Sequence, residues 1–303
     1  MSASKDLESI LKRSFLNLEK IDTNIYRSTS LWRPSLLSHE TGVHGGQLVG
    51  QALAAASKTI PETQHAHSLH CYYINKGSST KPILYRIEKT RDGNTYSSRN
   101  VKAIQNGQPL LTMQTSFKCE ETDEFCHQFT MPIVEKQPEE TLNVEELYQL
   151  AVQNGYGTEK ERRMLQSLTD HEFPFDVRPL HPYNLLERGS QIEEPKRNYW
   201  IKANGHLGED SIIHQCAAAF LTDYLFVDVA TLCSTDINLQ VVSLDHSVWF
   251  HNTFHANDWL LYEMESPQRG NGTALATGRL WTRDGVLAMS VAQEGIIRKF
   301  SKL

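Results

Sequence analysis

The sequence predicts an α+β protein made of two copies of one unit, each a long apolar helix wrapped by a curved antiparallel β-sheet. Three observations indicate this fold. The chain repeats itself at a spacing of about 178 residues, each copy contains alternating apolar and polar runs joined by tight turns, and an apolar helical stretch precedes each run. A chain of 303 residues is long enough for two domains.

The repeat matches residues of the two halves at a nearly constant offset. His67 in HSLHCYY corresponds to His246 in HSVWFHN, and Tyr85 corresponds to Tyr262. This period is too long for a solenoid, so two similar domains in tandem fit the pattern better.

The predicted boundaries divide the chain into two units and a connector. The first unit spans residues 1–120 and the second spans 196–303. The connector, residues 121–195, is rich in proline and contains one helical pattern from Val144 to Leu168. Its FPFDVRPL segment is expected to be ordered and to add to the second unit.

Tight turns mark antiparallel strand pairs in both copies. Asn106-Gly107 and Asp284-Gly285 are dipeptides typical of two-residue hairpin loops, and alternating apolar residues flank them. Each copy therefore contains a meander of long strands.

Two apolar helices are expected at the centre of the units. They span Gly46–Lys58 and Ile212–Val229, and both are rich in alanine, leucine and valine at helical spacing. A helix that is apolar on all sides is buried, so each is expected to lie against its own sheet.

Composition and charge exclude several functional classes. The formal net charge is −6, from 30 basic and 36 acidic residues, which argues against a nucleic-acid reader. No run approaches the roughly 18–20 apolar residues of a membrane span. The five cysteines are an odd number and widely spaced, which is not a disulfide framework.

No metal site or familiar nucleophile motif is expected. His65, His67 and His70 form an HxHxxH cluster, but strand alternation would place the third histidine on the opposite face from the first two. The sequence contains neither a GxSxG elbow nor a phosphate-binding P-loop.

Asp223 is the most informative polar residue, because it falls on the apolar face of the second predicted helix. Burying a carboxylate costs several kcal/mol unless it is paired or hydrogen-bonded. The residue is therefore a functional candidate, a structural acceptor, or a group that the helix turns toward water.

Two further polar residues lie among apolar neighbours in strands. Alternation predicts that Ser243 shares a face with Asp245, opposite His246, and that Gln293 shares a face with Val291. For either residue taken alone, a packing or capping role is the simpler interpretation.

The sequence ends in Ser301-Lys302-Leu303, which matches a receptor-read peroxisomal address. The tail predicts localisation in the peroxisomal matrix and a peroxisomal import receptor as a partner.

Several motifs together resemble the acyl-CoA thioesterase II family of double-hotdog proteins. They include VHGGQLVGQAL, SLDHSVWFH and DGVLAMSVAQEGIIR, and the resemblance spans roughly residues 28–298. The resemblance implies a tandem hotdog fold, hydrolysis of fatty acyl-CoA to free fatty acid and CoA, and no cofactor. The SKL tail is similar to that of the family's peroxisomal members.

The resemblance also implies a catalytic trio of Asp223, Ser243 and Gln293. Asp223 would act as general base on a water that Ser243 and Gln293 orient. Backbone N–H groups near Gly45 and Gly46 would hold the oxyanion, since a missing Cβ permits close approach.

The CoA phosphates require a local basic set in this acidic protein. The candidates lie in one sheet region of the first unit, and a solvated strand face explains them equally well. They are Lys89, Arg91, Arg99 and Lys102. The protein is also expected to form a homo-oligomer, since hotdog sheets commonly pair edge to edge, and the two halves could pair in this way within one chain.

Two alternatives share the fold and the ligand. A hotdog enoyl-CoA hydratase would carry a closely spaced Asp–His pair, and D-x-x-x-x-H is absent around Asp210 to His214. A non-catalytic acyl-CoA-binding protein would bind the thioester without releasing thiol.

Overall fold

The two repeated segments fold as two helix-and-sheet units that share one continuous sheet. The structure is a computed structural model, and it describes residues 11, 17–32, 42–154, 173–181, 192–236 and 239–299. The helices of this part are α1 (Gly45–Ser57), α2 (Val144–Gln153) and α3 (Ser211–Leu221), with short 3₁₀ turns at Pro138–Glu140 and Val227–Thr231.

The strands of the first unit precede those of the second along the chain. The first set is β1 (Leu18–Asp22), β2 (Ile25–Ser28), β3 (His65–Tyr73), β4 (Leu84–Arg91), β5 (Tyr96–Gln105) and β6 (Gln108–Lys118). The second set is β7 (Phe175–Pro179), β8 (Lys196–Ala203), β9 (Leu239–Ser243), β10 (Asp245–Phe250), β11 (Leu260–Gly270), β12 (Thr273–Thr282) and β13 (Leu287–Lys299).

The sheet confirms the predicted tandem hotdog architecture. Its strand order is β1-β2-β4-β5-β6-β3-β10-β13-β12-β11-β8-β7, with β9 also paired to β13. The first six strands come from the first unit, β7 comes from the connector, and the others come from the second unit. All neighbours are antiparallel, so each unit contributes a meander of the kind that the turn dipeptides predict.

The two units meet where β3 pairs with β10. Leu69 lies directly opposite Val248, and these residues occupy equivalent places in the two repeats. A local two-fold axis therefore passes between them. The His70 imidazole and the Ser247 hydroxyl are also hydrogen-bonded across this pair of strands, at 3.1 Å.

The central helices α1 and α3 contact each other as well as the sheet. All residues of α1 from Gly46 to Ala56 are buried, as its all-apolar pattern predicts. At Gly46 the backbones come so close that an added Cβ would lie 3.0 Å from both Cα and the carbonyl carbon of Phe220. Within the described residues, no helix is long and apolar enough to cross a membrane.

The second helix is shorter than the sequence predicts. It ends at Leu221 instead of Val229, and Leu225 adopts a left-handed conformation with φ of 57°. The Tyr262 hydroxyl donates to the Thr222 carbonyl at 2.9 Å, so a tertiary contact stabilises the helix end. Asp223 thus stands in the turn after the helix and not on its face.

The connector contributes one helix and one strand. The predicted helix begins at Val144 and is described to Gln153, while its predicted continuation to Leu168 lies outside the described residues. The FPFDVRPL segment forms β7, which pairs with β8 and extends the second unit's sheet as expected.

Candidate active site

The structure brings Asp223, Ser243 and Gln293 together. The Gln293 amide donates to Asp223 Oδ1 at 2.5 Å, and the Ser243 hydroxyl donates to the same oxygen at 3.4 Å. Gln293 is fully buried, and only 5% of the Asp223 side chain is exposed. Ser243 and Gln293 therefore both contact the Asp223 carboxylate, although Gln293 is 70 positions away in the chain.

The first unit supplies the other half of this site. The backbone N–H of Gly46, in the first turn of α1, donates to Asp223 Oδ2 at 2.7 Å. The Tyr73 hydroxyl, at the end of β3, donates to Oδ1 at 3.3 Å. The carboxylate at the N-terminus of α1 is stabilised by these donors and by the helix dipole, which offsets its burial.

Two residues of the site were not predicted from the sequence, Tyr73 and His44. Alternation along β3 could have indicated Tyr73, since it shares the inner face with Leu69 and Cys71. His44 caps α1, and its Nδ1 accepts the Gly46 N–H at 3.1 Å. A histidine before two glycines carries no such signal by itself.

His44 lies beside the Asp223 carboxylate among aromatic rings. Its Nδ1 is 3.6 Å from Asp223 Oδ2, and its ring contacts those of Trp32 and Phe220. Burial lowers the pKa of His44, and the Asp223 carboxylate opposes that shift. Since Nδ1 accepts a hydrogen bond, the neutral imidazole carries its proton on Nε2.

A β-bulge aims Ser243 into the site, and the predicted face assignment is wrong for this reason. Ser243 lies opposite Gly295 while Ser247 lies opposite Ala292, so the β9–β10 segment carries one extra residue, at Leu244. The inner face therefore changes from odd to even positions, and buried His246 lies on the same side as Ser243. Gln293 shares the buried face with Val291, as predicted.

The two glycines that begin α1 permit the close approach that the sequence predicts. Gly45 makes room for the site side chains, whereas Gly46 donates a hydrogen bond to Asp223. A Cβ on Gly45 would lie 2.8 Å from Asp223 Oδ2 and 2.9 Å from Tyr73 Cζ. The Gly46 N–H is committed to the Asp223 carboxylate, so it orients that side chain and is not a free donor for an oxyanion.

The basic candidates do not act as one set. Arg99 is fully buried, where its guanidinium donates to the side chain and carbonyl of Thr59 and pairs with Asp92. Its expected role at CoA phosphates is wrong, because these partners use its donors inside the protein. The other three basic candidates are exposed. One of them, Lys89, lines a surface pocket of about 480 Å³ together with Lys58.

The three clustered histidines each bind a separate hydroxyl. The partners of His65, His67 and His70 are Ser211, Ser116 and Ser247, respectively. In the part of the chain that the structure describes, no three metal-ligating side chains cluster. The predicted targeting residues, Ser301, Lys302 and Leu303, lie outside the described residues.

Comparisons with known proteins find similar chains that span both units. A family model described as acyl-CoA thioesterase matches residues 165–296, and the acyl-CoA thioesterase N-terminal domain matches residues 34–118. Acyl-coenzyme A thioesterase 8 of Rattus norvegicus is 43% identical over 299 residues, which cover 97% of this chain and 91% of the relative.

More distant relatives extend the same similarity. Peroxisomal acyl-coenzyme A thioester hydrolase 1 of Saccharomyces cerevisiae is 24% identical, over 98% of this chain and 97% of the relative. The crystal structure of an acyl-CoA thioesterase II from Mycobacterium marinum has a TM-score of 0.74 at 29% identity, covering 97% of this chain and all of that one. These similarities span both units and favour hydrolysis over the hydratase and binding-protein alternatives. The chain therefore belongs to the acyl-CoA thioesterase family, as a tandem hotdog enzyme that hydrolyses acyl-CoA thioesters.

Proposed function

We propose that this enzyme hydrolyses acyl-CoA through a water that Asp223 activates and that Ser243 and Gln293 orient. One observation carries the proposal: a buried carboxylate at a helix N-terminus accepts hydrogen bonds from both of the other residues. A base held this rigidly can align the water on the thioester carbonyl, and orientation alone supplies a large rate factor.

The chemical step balances without a covalent acyl-enzyme. Asp223 takes one proton from the water as the water oxygen attacks the carbonyl carbon of the thioester. The C–S bond of the tetrahedral intermediate then breaks, and the proton passes to the leaving thiolate to give fatty acid and CoA. The oxyanion would face the N-terminus of α1 with the Gly45 N–H as donor, because the Gly46 N–H is already engaged.

The buried cysteines support attack by water. Burial raises the pKa of the Cys71 thiol and that of the Cys216 thiol. Neither side chain supplies the thiolate that nucleophilic catalysis needs. The mechanism requires no cofactor, with CoA entering as part of the substrate.

The test is the substitution Asp223→Asn, which keeps the shape of the side chain and removes its basicity. We expect thiol release from acyl-CoA to fall by orders of magnitude with an unchanged melting temperature. The exposed Asp258→Asn is a matched control with an expected rate equal to wild type. Near-wild-type turnover by Asp223→Asn would show that the assignment of the base is wrong.

The proposed location is the peroxisomal matrix. Two facts support it: the SKL tail, and the similarity to a relative whose name places it in peroxisomes. The tail would bind the peroxisomal import receptor. A fluorescent fusion ending in this tail should be peroxisomal, and a fusion lacking Leu303 should be cytosolic. Identical distributions of the two fusions would refute the assignment.

Substrate binding, assembly and domain division complete the proposal. The exposed Lys89, Arg91 and Lys102 are candidates for binding the CoA phosphates.

We also propose that the chain divides into units of residues 1–120 and 196–303, joined by a connector of residues 121–195. We further propose that the protein forms a homo-oligomer. Sedimentation tests the assembly, and a sedimenting monomer at micromolar concentration would contradict it.

A further inference from the structure

The Oδ1 atom of Asp223 has one side-chain donor that the catalytic trio does not account for. This oxygen accepts hydrogen bonds from Gln293, Ser243 and the Tyr73 hydroxyl, the last at 3.3 Å. Tyr73 belongs to the first unit, whereas the other three residues belong to the second.

The fold leaves the Tyr73 ring little freedom to turn away. A Cβ on Gly45 would lie 2.9 Å from Tyr73 Cζ and 3.0 Å from its neighbouring ring carbon, so the ring lies against the start of α1. Backbone contacts hold the strand end, since the Tyr73 N–H donates to the Leu244 carbonyl at 2.9 Å. The same Leu244 forms the bulge that aims Ser243 at the carboxylate.

We propose that Tyr73 is a positioning residue for the hydrolysis, acting through Asp223. Its hydroxyl fixes the rotation of the carboxylate about Cβ–Cγ. The inference rests on the proposed role of Asp223 as the base.

Each carboxylate oxygen is then held by a group of the first unit. Gly46 holds Oδ2 through its N–H, and Tyr73 holds Oδ1 through its hydroxyl. Burial raises the pKa of Tyr73, and the Asp223 carboxylate adds to that shift, so the phenol remains a protonated donor across the working pH range.

The first experiment is Tyr73→Phe, which removes only the hydroxyl. We expect kcat to fall about 5- to 20-fold with little change in KM, consistent with the loss of one hydrogen bond to a charged group. Tyr72→Phe is the matched control, since Tyr72 is 62% exposed and points to the opposite face of β3.

A second experiment separates positioning from simple packing. In the Asp223→Asn background, measured at high enzyme concentration, Tyr73→Phe should have no further effect on the residual rate. An equal fold-loss in both backgrounds would show that Tyr73 acts through packing alone and would overturn the inference.

The outcomes also distinguish this inference from the proposed function. Full activity of Asp223→Asn would refute the role of the base itself. Loss of activity in Asp223→Asn, together with wild-type kcat in Tyr73→Phe, would refute only the positioning role of Tyr73.

Discussion

Substituting Gly46 by alanine should damage stability and catalysis together, because this residue is both the contact point of the central helices and a donor to Asp223. In Gly46→Ala, the new Cβ would lie 3.0 Å from Cα and from the carbonyl carbon of Phe220, and closer still to the carbonyl oxygen. Carbon atoms in contact prefer about 3.5–4.0 Å, so the helices must separate by at least about half an ångström.

The expected energies follow from two opposing effects. Alanine favours the helix over glycine by about 1 kcal/mol. Separating packed backbone elements costs more than moving a side chain, and overpacking of this kind typically costs about 1–3 kcal/mol. A contact between two backbones falls at the upper end of that range, about 2–3 kcal/mol, so we expect a net loss of about 1–2 kcal/mol in the free energy of unfolding. The shift of α1 also lengthens the 2.7 Å bond from the Gly46 N–H to Asp223, which should lower kcat at least about tenfold.

Urea unfolding followed by tryptophan fluorescence measures the stability, and thiol release measures kcat. The control is Ser57→Ala at the other end of the same helix, where the hydroxyl donates to the Leu53 carbonyl. A Gly46→Ala enzyme with the stability and turnover of wild type would refute this account of the helix contact and of its link to the carboxylate.

Three further predictions address separate parts of the molecule. Gln293→Leu should reduce thiol release about 100-fold at unchanged fold, since the amide that holds Asp223 at 2.5 Å is lost, and circular dichroism checks the fold. Arg99→Leu should lower the free energy of unfolding, measured in urea, by about 2–4 kcal/mol, because the buried guanidinium donates to backbone carbonyls. The KM for acyl-CoA should not change, and a raised KM would indicate that Arg99 binds CoA. Burial lowers the pKa of His246 to about 4, from an ordinary value of about 6.5. The unfolded chain therefore binds this proton first as pH falls, so about 2–3 kcal/mol of stability is lost between about pH 6.5 and 4. Denaturation of His246→Gln over that range should show a smaller loss.

Much of the fold follows from local pattern. The repeat, the hairpin dipeptides and the two apolar helices are all legible because periodicity and turn chemistry are properties of short segments. The end of α3 cannot be predicted in this way. The hydrogen bond from Tyr262 to Thr222 that stabilises the helix end joins distant parts of the chain. The extra residue at Leu244 is equally hidden, because a bulge is defined only by the partner strand.

The site residues also divide into those that the sequence indicates and those that only the tertiary structure reveals. Asp223 and Gln293 are conspicuous as polar residues among apolar neighbours, and the structure brings both together with Ser243. The role of Tyr73 depends on the partnership between the two units, which no single segment of the sequence carries. The burial of Arg99 is consistent with strand alternation, which puts it on the inner face of β5 with Val101 and Ala103, and the turn residue Thr59 accepts its hydrogen bonds there.

The pairing of β3 with β10 has a consequence for how the enzyme responds to dilution. Gly46 and Tyr73 reach Asp223 from a different unit, yet all three belong to one polypeptide. Two separate hotdog chains would lose such a site as they dissociate, whereas covalent linkage gives the units an effective concentration on the order of millimolar. Each chain thus carries all the described groups that contact the Asp223 carboxylate. The formation of the site is therefore independent of the concentration of other copies.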